Sequence, residues 1–125
     1  MTHTVEITSR EQVEEIMKPG GPSALIDFWA SWCGPCRMMA PNYEAAAEVM
    51  ADEPVTFYKV DTQKYPEISA AFNVRSLPTV VAVSDGKVED VVVGAQDCLS
   101  LKRIAERLVS RSEGDGFFSR LFRAS

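Results

Sequence analysis

Cysteine and histidine are scarce in this chain of 125 residues, which contains three cysteines and one histidine. Three cysteines cannot form a fully paired framework, which argues against a small secreted scaffold held together by disulfides. A zinc site needs a second ligand pair beside Cys33 and Cys36, but only Cys98 and His3 remain, far apart and without metal spacing. The sequence therefore predicts no metal site and favours a reactive role for the close pair.

Long apolar runs and a secretory leader are also missing. The longest apolar stretches fall far short of the roughly 20 residues that span a bilayer. The opening residues MTHTVEITSREQ lack the basic start and apolar centre of a secretory signal. We therefore expect a cytoplasmic protein of one compact domain, with no transmembrane segment.

Positive charge is in short supply overall but concentrated near the end of the chain. The net charge of -5 argues against nucleic-acid binding through phosphate contacts. Residues 102–125 nevertheless carry six basic and three acidic side chains. We expect a domain over residues 1–111 and a basic amphipathic tail over 112–125.

Within that tail, the glycine-containing segment 112–116 predicts an end to the preceding helix and a flexible hinge. A short helix should follow, too short to be stable alone, so it needs a surface to pack on. Self-association or contact with its own domain, docking to a partner, and contact with a membrane surface all remain open. The apolar face of this helix would consist of Phe117, Phe118, Leu121 and Phe122.

The order of apolar patterns predicts a β-α-β-α-β-α-β-β-α chain, an α/β sandwich with helices on both faces of a mixed sheet. A hairpin turn at 84–87 indicates that the last two strands are antiparallel. The predicted strands are 4–7, 24–30, 55–61, 79–83 and 88–94, and the predicted helices are 8–17, 34–51, 66–74 and 98–109.

The segment WCGPC places Cys33 at the start of a predicted helix. Unpaired N–H groups and the helix dipole stabilise a thiolate there, and the thiolate is the reactive form of cysteine. Cys36 lies in the first turn, close enough to close a disulfide, and Pro35 at the helix start stiffens the link. A permanently closed structural disulfide is disfavoured in a reducing cytoplasm.

Four segments in register, LIDFWASWCGPCRMMAP, YKVDTQ, VRSLPTVV and VVGAQ, resemble the thioredoxin family over residues 4–109. The resemblance implies the thioredoxin fold, a central mixed sheet of about five strands flanked by about four helices in three layers. It also implies a protein-disulfide reductase in which Cys33 is the nucleophile and Cys36 resolves the mixed disulfide. The Cys33–Cys36 disulfide would then be the redox group, with no bound cofactor. The implied partners are disulfide-containing client proteins and an NADPH-dependent flavoprotein, thioredoxin reductase.

Asp27 and Lys59 are candidates for proton transfer. A carboxylate within the apolar strand ALIDFWA should have a raised pKa, so that Asp27 can accept a proton from Cys36 directly or through water. The alternative is a frayed strand with a solvated Asp27. Lys59 matches a family lysine near this aspartate, although a lysine on a strand is by default a surface residue.

The resemblance also implies a client-binding rim around Cys33. Pro78 matches the cis-proline that faces the family's disulfide and leaves the Leu77 backbone free to pair with an extended substrate. The rim would consist of Trp32, Gly34, Pro35, Leu77, Pro78, Gly94 and Ala95.

Other functions remain open at this point. A disulfide oxidase or isomerase would use the same chemistry, although the Gly-Pro between the cysteines resembles the reducing branch of the family. A binding or assembly module would use the fold alone, with incidental redox activity.

Overall fold

In the computed structural model of this protein, the described backbone extends from residue 2 to residue 123, and the described side chains from residue 2 to residue 111. The predicted order of elements is confirmed. The strands are β1 (Thr4–Glu6), β2 (Ala24–Trp29), β3 (Thr56–Asp61), β4 (Thr79–Ser84) and β5 (Lys87–Val93). The helices are α1 (Arg10–Met17), α2 (Gly34–Val49), α3 (Pro66–Ala71) and α4 (Cys98–Arg123).

Side-chain hydrogen bonds cap the starts of α1 and α4, and α1 begins two residues later than predicted. Ser9 caps α1, because its hydroxyl accepts from the Gln12 N–H at 3.3 Å while Gln12 Oε1 accepts from the Ser9 N–H at 3.1 Å. Asp97 Oδ1 accepts from the Ser100 N–H at 2.8 Å at the start of α4. These caps satisfy N–H groups that the first helical turn leaves free.

The sheet has the strand order β1-β3-β2-β4-β5. β3 is parallel to both β1 and β2, whereas β4 is antiparallel to both β2 and β5. β2 is thus paired along both edges, and its residues from Ala24 to Phe28 are all buried. This double burial explains why β2 reads as an apolar run and not as an alternating one.

Each face of the sheet carries its own apolar core. Leu25, Phe57 and Val80 point toward α2 and α4, and Ile26, Val60 and Val81 point toward α1 and α3. Successive residues of a strand point to opposite faces, so the two cores share strands but no side chains. The arrangement is the predicted three-layer thioredoxin fold.

The structure differs from the prediction at the end of the chain. α4 continues through 112–116 to Arg123, where the sequence predicted an end and a hinge. Each of the two glycines lowers the stability of the helix by about 1 kcal/mol relative to alanine. This local preference does not prevent the segment from being helical. The side chains of residues 112–125 lie outside the described residues, so the packing of the tail and the domain boundary at 111 stay predictions.

Within residues 2–123, no helix is long and apolar enough to cross a membrane.

Tyr43 of α2 ties the helix to the centre of the sheet. Its side chain is fully buried, and its hydroxyl lies 2.7 Å from the Tyr58 carbonyl and 3.1 Å from the Leu25 carbonyl. One hydroxyl hydrogen can serve only one acceptor at a time, so Tyr43 donates to either β3 or β2. This contact fixes α2 above the strand that carries Asp27.

We expect Tyr43→Phe to lower the free energy of unfolding by about 1 kcal/mol, because a buried hydrogen bond is lost while the ring packing remains. Urea unfolding followed by circular dichroism measures the change. Tyr65→Phe is the matched control, since among the described residues the Tyr65 hydroxyl makes no hydrogen bond. An equal loss in both variants would contradict this role of the Tyr43 hydroxyl.

Candidate active site

Cys33 and Cys36 form a disulfide at the N-terminus of α2, with their Cα atoms 5.3 Å apart. Cys33 is the N-cap residue, and its Sγ accepts a hydrogen bond from the Cys36 N–H at 3.2 Å. Backbone bonds from the Cys33 N–H to the Ala30 carbonyl and from the Arg37 N–H to the Cys33 carbonyl hold the turn, at 3.1 and 3.2 Å. The helix therefore directs a free N–H group at the sulfur of Cys33, as the sequence predicted.

The two cysteines are equally buried in the disulfide form, each 4% exposed. Exposure of the whole residue therefore does not distinguish an attacking thiol from a shielded one. The distinction lies in position, because Cys33 caps the helix and Cys36 lies inside its first turn. The pair packs with Ala30 in a small apolar cluster that Trp29 and Leu77 border.

The loop before β4 brings part of the predicted rim to the disulfide. The Leu77–Pro78 peptide bond is cis, as the resemblance implied, and Leu77 packs against the cysteine cluster. The Gly94 N–H donates to the Pro78 carbonyl at 2.9 Å, which joins the end of β5 to the same loop. Gly94 has φ +98°, a conformation that favours glycine.

The other rim residues differ in exposure. Trp32 is 66% exposed, Pro35 and Ala95 are also exposed, Gly34 is half-buried, and Pro78 is buried. The structure thus gathers Leu77, Pro78 and Gly94 by direct contacts. It leaves Trp32, Pro35 and Ala95 as exposed surface, with Pro35 in the first turn of α2 and the other two in loops.

Asp27 lies in the middle of β2, opposite Lys59 of β3 and Val80 of β4, and is 2% exposed. The alternative of a frayed strand with a solvated carboxylate is therefore wrong. Burial raises the pKa of Asp27 from 3.8 to about 7, while the charge of Lys59 lowers this pKa and that of Glu6 raises it. Among the described residues, Asp27 makes no hydrogen bond to Cys36, so any proton transfer between them needs a water molecule or a local movement.

Lys59 is half-buried and not the surface lysine that the default interpretation gave. Its Nζ lies 5.1 Å from the centre of the Trp29 ring, within cation–π range. Lys59 thus contacts the face of Trp29 and also lowers the pKa of Asp27.

Sequence reasoning missed the contact between Trp29 and Lys59. Alternation along β2 places Trp29 on the same face as Asp27, but only the alignment of β2 with β3 brings Lys59 to that face. Sequence reasoning also missed Tyr43, whose pKa is raised well above its usual value by burial and by the charge of Asp27. Tyr43 joins this group only through the packing of α2 on the sheet, which no local sequence pattern shows.

The remaining candidates lie outside this cluster. Cys98 is a free, half-buried thiol that packs against the core between α2 and α4. Within the described part of the chain, no group of three or more histidine, cysteine, aspartate or glutamate side chains could hold a metal ion.

A disulfide between two cysteines three positions apart at a helix N-terminus is the arrangement of a thiol–disulfide oxidoreductase. The family model for thioredoxin matches residues 3–107 of this chain. The chain belongs to the thioredoxin family, whose members reduce protein disulfides, and Cys33 and Cys36 are its redox-active pair.

Individual relatives agree with this assignment. The chain is 42% identical over 92 residues to thioredoxin C-3 of Corynebacterium nephridii, which covers 73% of this chain and 61% of that protein. It is 38% identical over 95 residues to thioredoxin 1 of Synechococcus elongatus, which covers 76% of this chain and 87% of that one. The solved structure of Malassezia sympodialis thioredoxin superposes with a TM-score of 0.77 at 33% identity, covering 87% of this chain and 93% of the other.

The raised pKa of Asp27 makes the stability of the protein depend on pH. The folded state holds this proton up to about pH 7, whereas the unfolded chain releases it near 3.8, so stability falls as the pH rises through this window. Above it, the buried carboxylate destabilises the fold by on the order of 2–4 kcal/mol.

We therefore expect Asp27→Asn to raise the free energy of unfolding of the oxidised protein by on the order of 2–3 kcal/mol more at pH 8 than at pH 5. Guanidinium unfolding at the two pH values measures this difference. Asp52→Asn, which removes an exposed carboxylate, is the control and should show no such dependence. A stabilisation by Asp27→Asn of the same size at both pH values would rule out the raised pKa.

Proposed function

We propose that this protein is a general dithiol reductant of protein disulfides, with Cys33 as nucleophile and Cys36 as resolving cysteine. The observation that carries the proposal is the hydrogen bond from the Cys36 N–H to Cys33 Sγ. In the reduced protein, the same N–H and the end of the α2 dipole favour the thiolate of Cys33 over that of Cys36. A thiolate at this position attacks a client disulfide that meets the helix tip.

The reaction proceeds in two exchanges. The Cys33 thiolate attacks one client sulfur, the client S–S bond breaks, and the departing client thiolate is protonated by solvent. Cys36 then loses its proton and attacks Cys33 Sγ, which releases the second client thiolate and closes the Cys33–Cys36 bond. The client gains two electrons and two protons, and the protein becomes the disulfide.

Asp27 is the proposed acceptor of the Cys36 proton. A base works best when its pKa lies near the working pH, and burial brings the pKa of Asp27 to about 7. Lys59 limits this rise, so that Asp27 is ionised in a useful fraction of molecules near neutral pH.

The client would bind across the rim of Trp32, Gly34, Pro35, Leu77, Pro78, Gly94 and Ala95. The support for this surface is the exposed Trp32 and the packing of Leu77 on the cysteine cluster. Large apolar side chains that remain in water beside a reactive pair favour a protein partner.

Return to the dithiol requires an electron donor, which we propose is an NADPH-dependent flavoprotein of the thioredoxin reductase class. The cytoplasm is the proposed compartment, because a reducing environment keeps Cys98 and the active pair available as thiols.

NADPH oxidation in the presence of a thioredoxin reductase and a model protein disulfide tests the function. A dithiol that is not turned over in this assay would favour a binding or assembly module.

We expect Cys36→Ser to trap clients as stable mixed disulfides through Cys33, because the resolving thiol is gone. Mass spectrometry of the adducts locates the bond. Cys36→Ser combined with Cys98→Ser is the matched control and should trap equally well, and Cys98→Ser alone should retain reductase turnover. Adducts that form through Cys98 would overturn the assignment of Cys33.

We expect Asp27→Asn to slow client release by about ten- to a hundredfold at pH 7 while the first attack changes by less than about threefold. Stopped-flow kinetics between pH 6 and 8 separate the two steps. In the native protein, release should accelerate as Asp27 ionises around pH 7, and Asp52→Asn should keep this acceleration. Equal slowing of both steps would exclude a relay through Asp27.

A further inference from the structure

Three valines of β5 lie on one face of the sheet. Val93 pairs with Thr79, Val91 with Val81, and Val88 with Val83. Thr79, Val81 and Val83 alternate along β4 and so share a face, the one that carries α1 and α3. Val88 reaches this face because a bulge leaves Glu89 without a partner on β4. We name Val88, Val91 and Val93 the valine stripe.

The valine stripe is exposed, although it lies on the face of the sheet that carries α1 and α3. Val88, Val91 and Val93 are 47, 52 and 59% exposed, and none belongs to the core beneath α1 and α3. β5 is also an edge strand of the sheet. An exposed apolar edge strand favours pairing with another chain, and charged side chains on edge strands usually prevent such pairing.

The acidic side chains of β5 lie on the other face of the sheet, the one that carries α4. Arg111 of α4 bonds to Glu89 at 2.7 Å, and Arg107 lies 3.9 Å from Asp90. Val92 packs against the core on that same side. The α4 face of β5 is therefore closed by ion pairs and packing, whereas the face of the valine stripe is open.

The valine stripe begins where the proposed client rim ends. Val93 directly precedes Gly94, whose N–H donates to the Pro78 carbonyl, and Val93 pairs with Thr79, which directly follows Pro78. From there the stripe leads away from the disulfide for about 15 Å, the length of four to five extended residues. Val91 and Val93 are two residues apart, which matches the spacing of alternate side chains in an extended peptide.

We propose that the valine stripe is a subsite for an extended client segment that flanks the client disulfide and is apolar at alternate positions. This inference rests on the proposed reductase function and adds a preference among clients. A client is favoured over a second copy as occupant because the stripe is continuous with the rim, while two copies would bring together chains of net charge -5.

Single-turnover reduction of synthetic peptides tests the subsite. Each peptide contains the same disulfide-closed loop, flanked on its N- or C-terminal side by Val-Thr-Val-Thr or by Ser-Thr-Ser-Thr. The protein is reduced with dithiothreitol and desalted first, so no reductase is needed. The variant is Val88→Thr with Val91→Thr, which keeps β-branched side chains on the strand. The matched control is Val5→Thr on the other edge strand, β1, where Val5 is 41% exposed.

The native protein and Val5→Thr should reduce one of the two valine-flanked peptides with a second-order rate constant about five to ten times that for its polar counterpart. The double variant should lose this advantage and reduce the polar-flanked peptides at the native rate. If the double variant unfolds, Val88→Thr or Val91→Thr alone is compared with Val5→Thr on the same peptides.

Three results would overturn the inference. They are no advantage for either valine-flanked peptide, an undiminished advantage in the double variant, and concentration-dependent dimers that the double substitution abolishes without changing peptide preference. Failure of the native protein to reduce any of the peptides would instead reject the proposed function itself.

Discussion

The burial of β2 on both faces and along both edges is the constraint on which the rest of this structure depends. A strand enclosed in this way has one position and one direction, so the loop that follows Trp29 always delivers Cys33 to the same place. The same enclosure removes water from Asp27 and raises its pKa to about 7. One packing arrangement therefore positions the redox pair and prepares the proton acceptor.

The environment of Asp27 involves groups from four elements. Burial within its own strand raises its pKa, the charge of Glu6 of β1 raises it further, and that of Lys59 of β3 lowers it. α2 supplies Tyr43, whose hydroxyl is fixed between backbone carbonyls of β2 and β3. Because α2 also carries the cysteines, a movement of this helix would alter the attacking group and its base together.

The sequence predicted the parts of the fold that local rules govern. Apolar runs located the strands, because a strand that is covered on both faces is apolar along its length. The end of α3 was placed at Val74, whereas the helix ends at Ala71 and is followed by Asn73 at φ 57°. The predicted end of α4 was wrong for a similar reason, since glycine sets a preference that other parts of a helix can outweigh.

The site was predictable to the extent that it lies in continuous motifs. WCGPC identified the cysteine pair, and an acid in an apolar run identified Asp27. The position of Lys59 over Trp29 depends on the alignment of two strands that are far apart in sequence, which no local pattern contains. The equal burial of Cys33 and Cys36 likewise depends on Ala30, Trp29 and Leu77 packing together from separate segments.

The bulge at Glu89 has a consequence for how this surface can change in evolution. If β5 kept Glu89 but paired with β4 without the bulge, regular alternation would place Val88 toward α4 and Glu89 on the open face. The choice between an apolar and a charged edge therefore depends on the length of the hairpin as much as on its composition. A deletion of one residue in the turn between β4 and β5 that removed the bulge would exchange the two, with every remaining side chain of β5 unaltered.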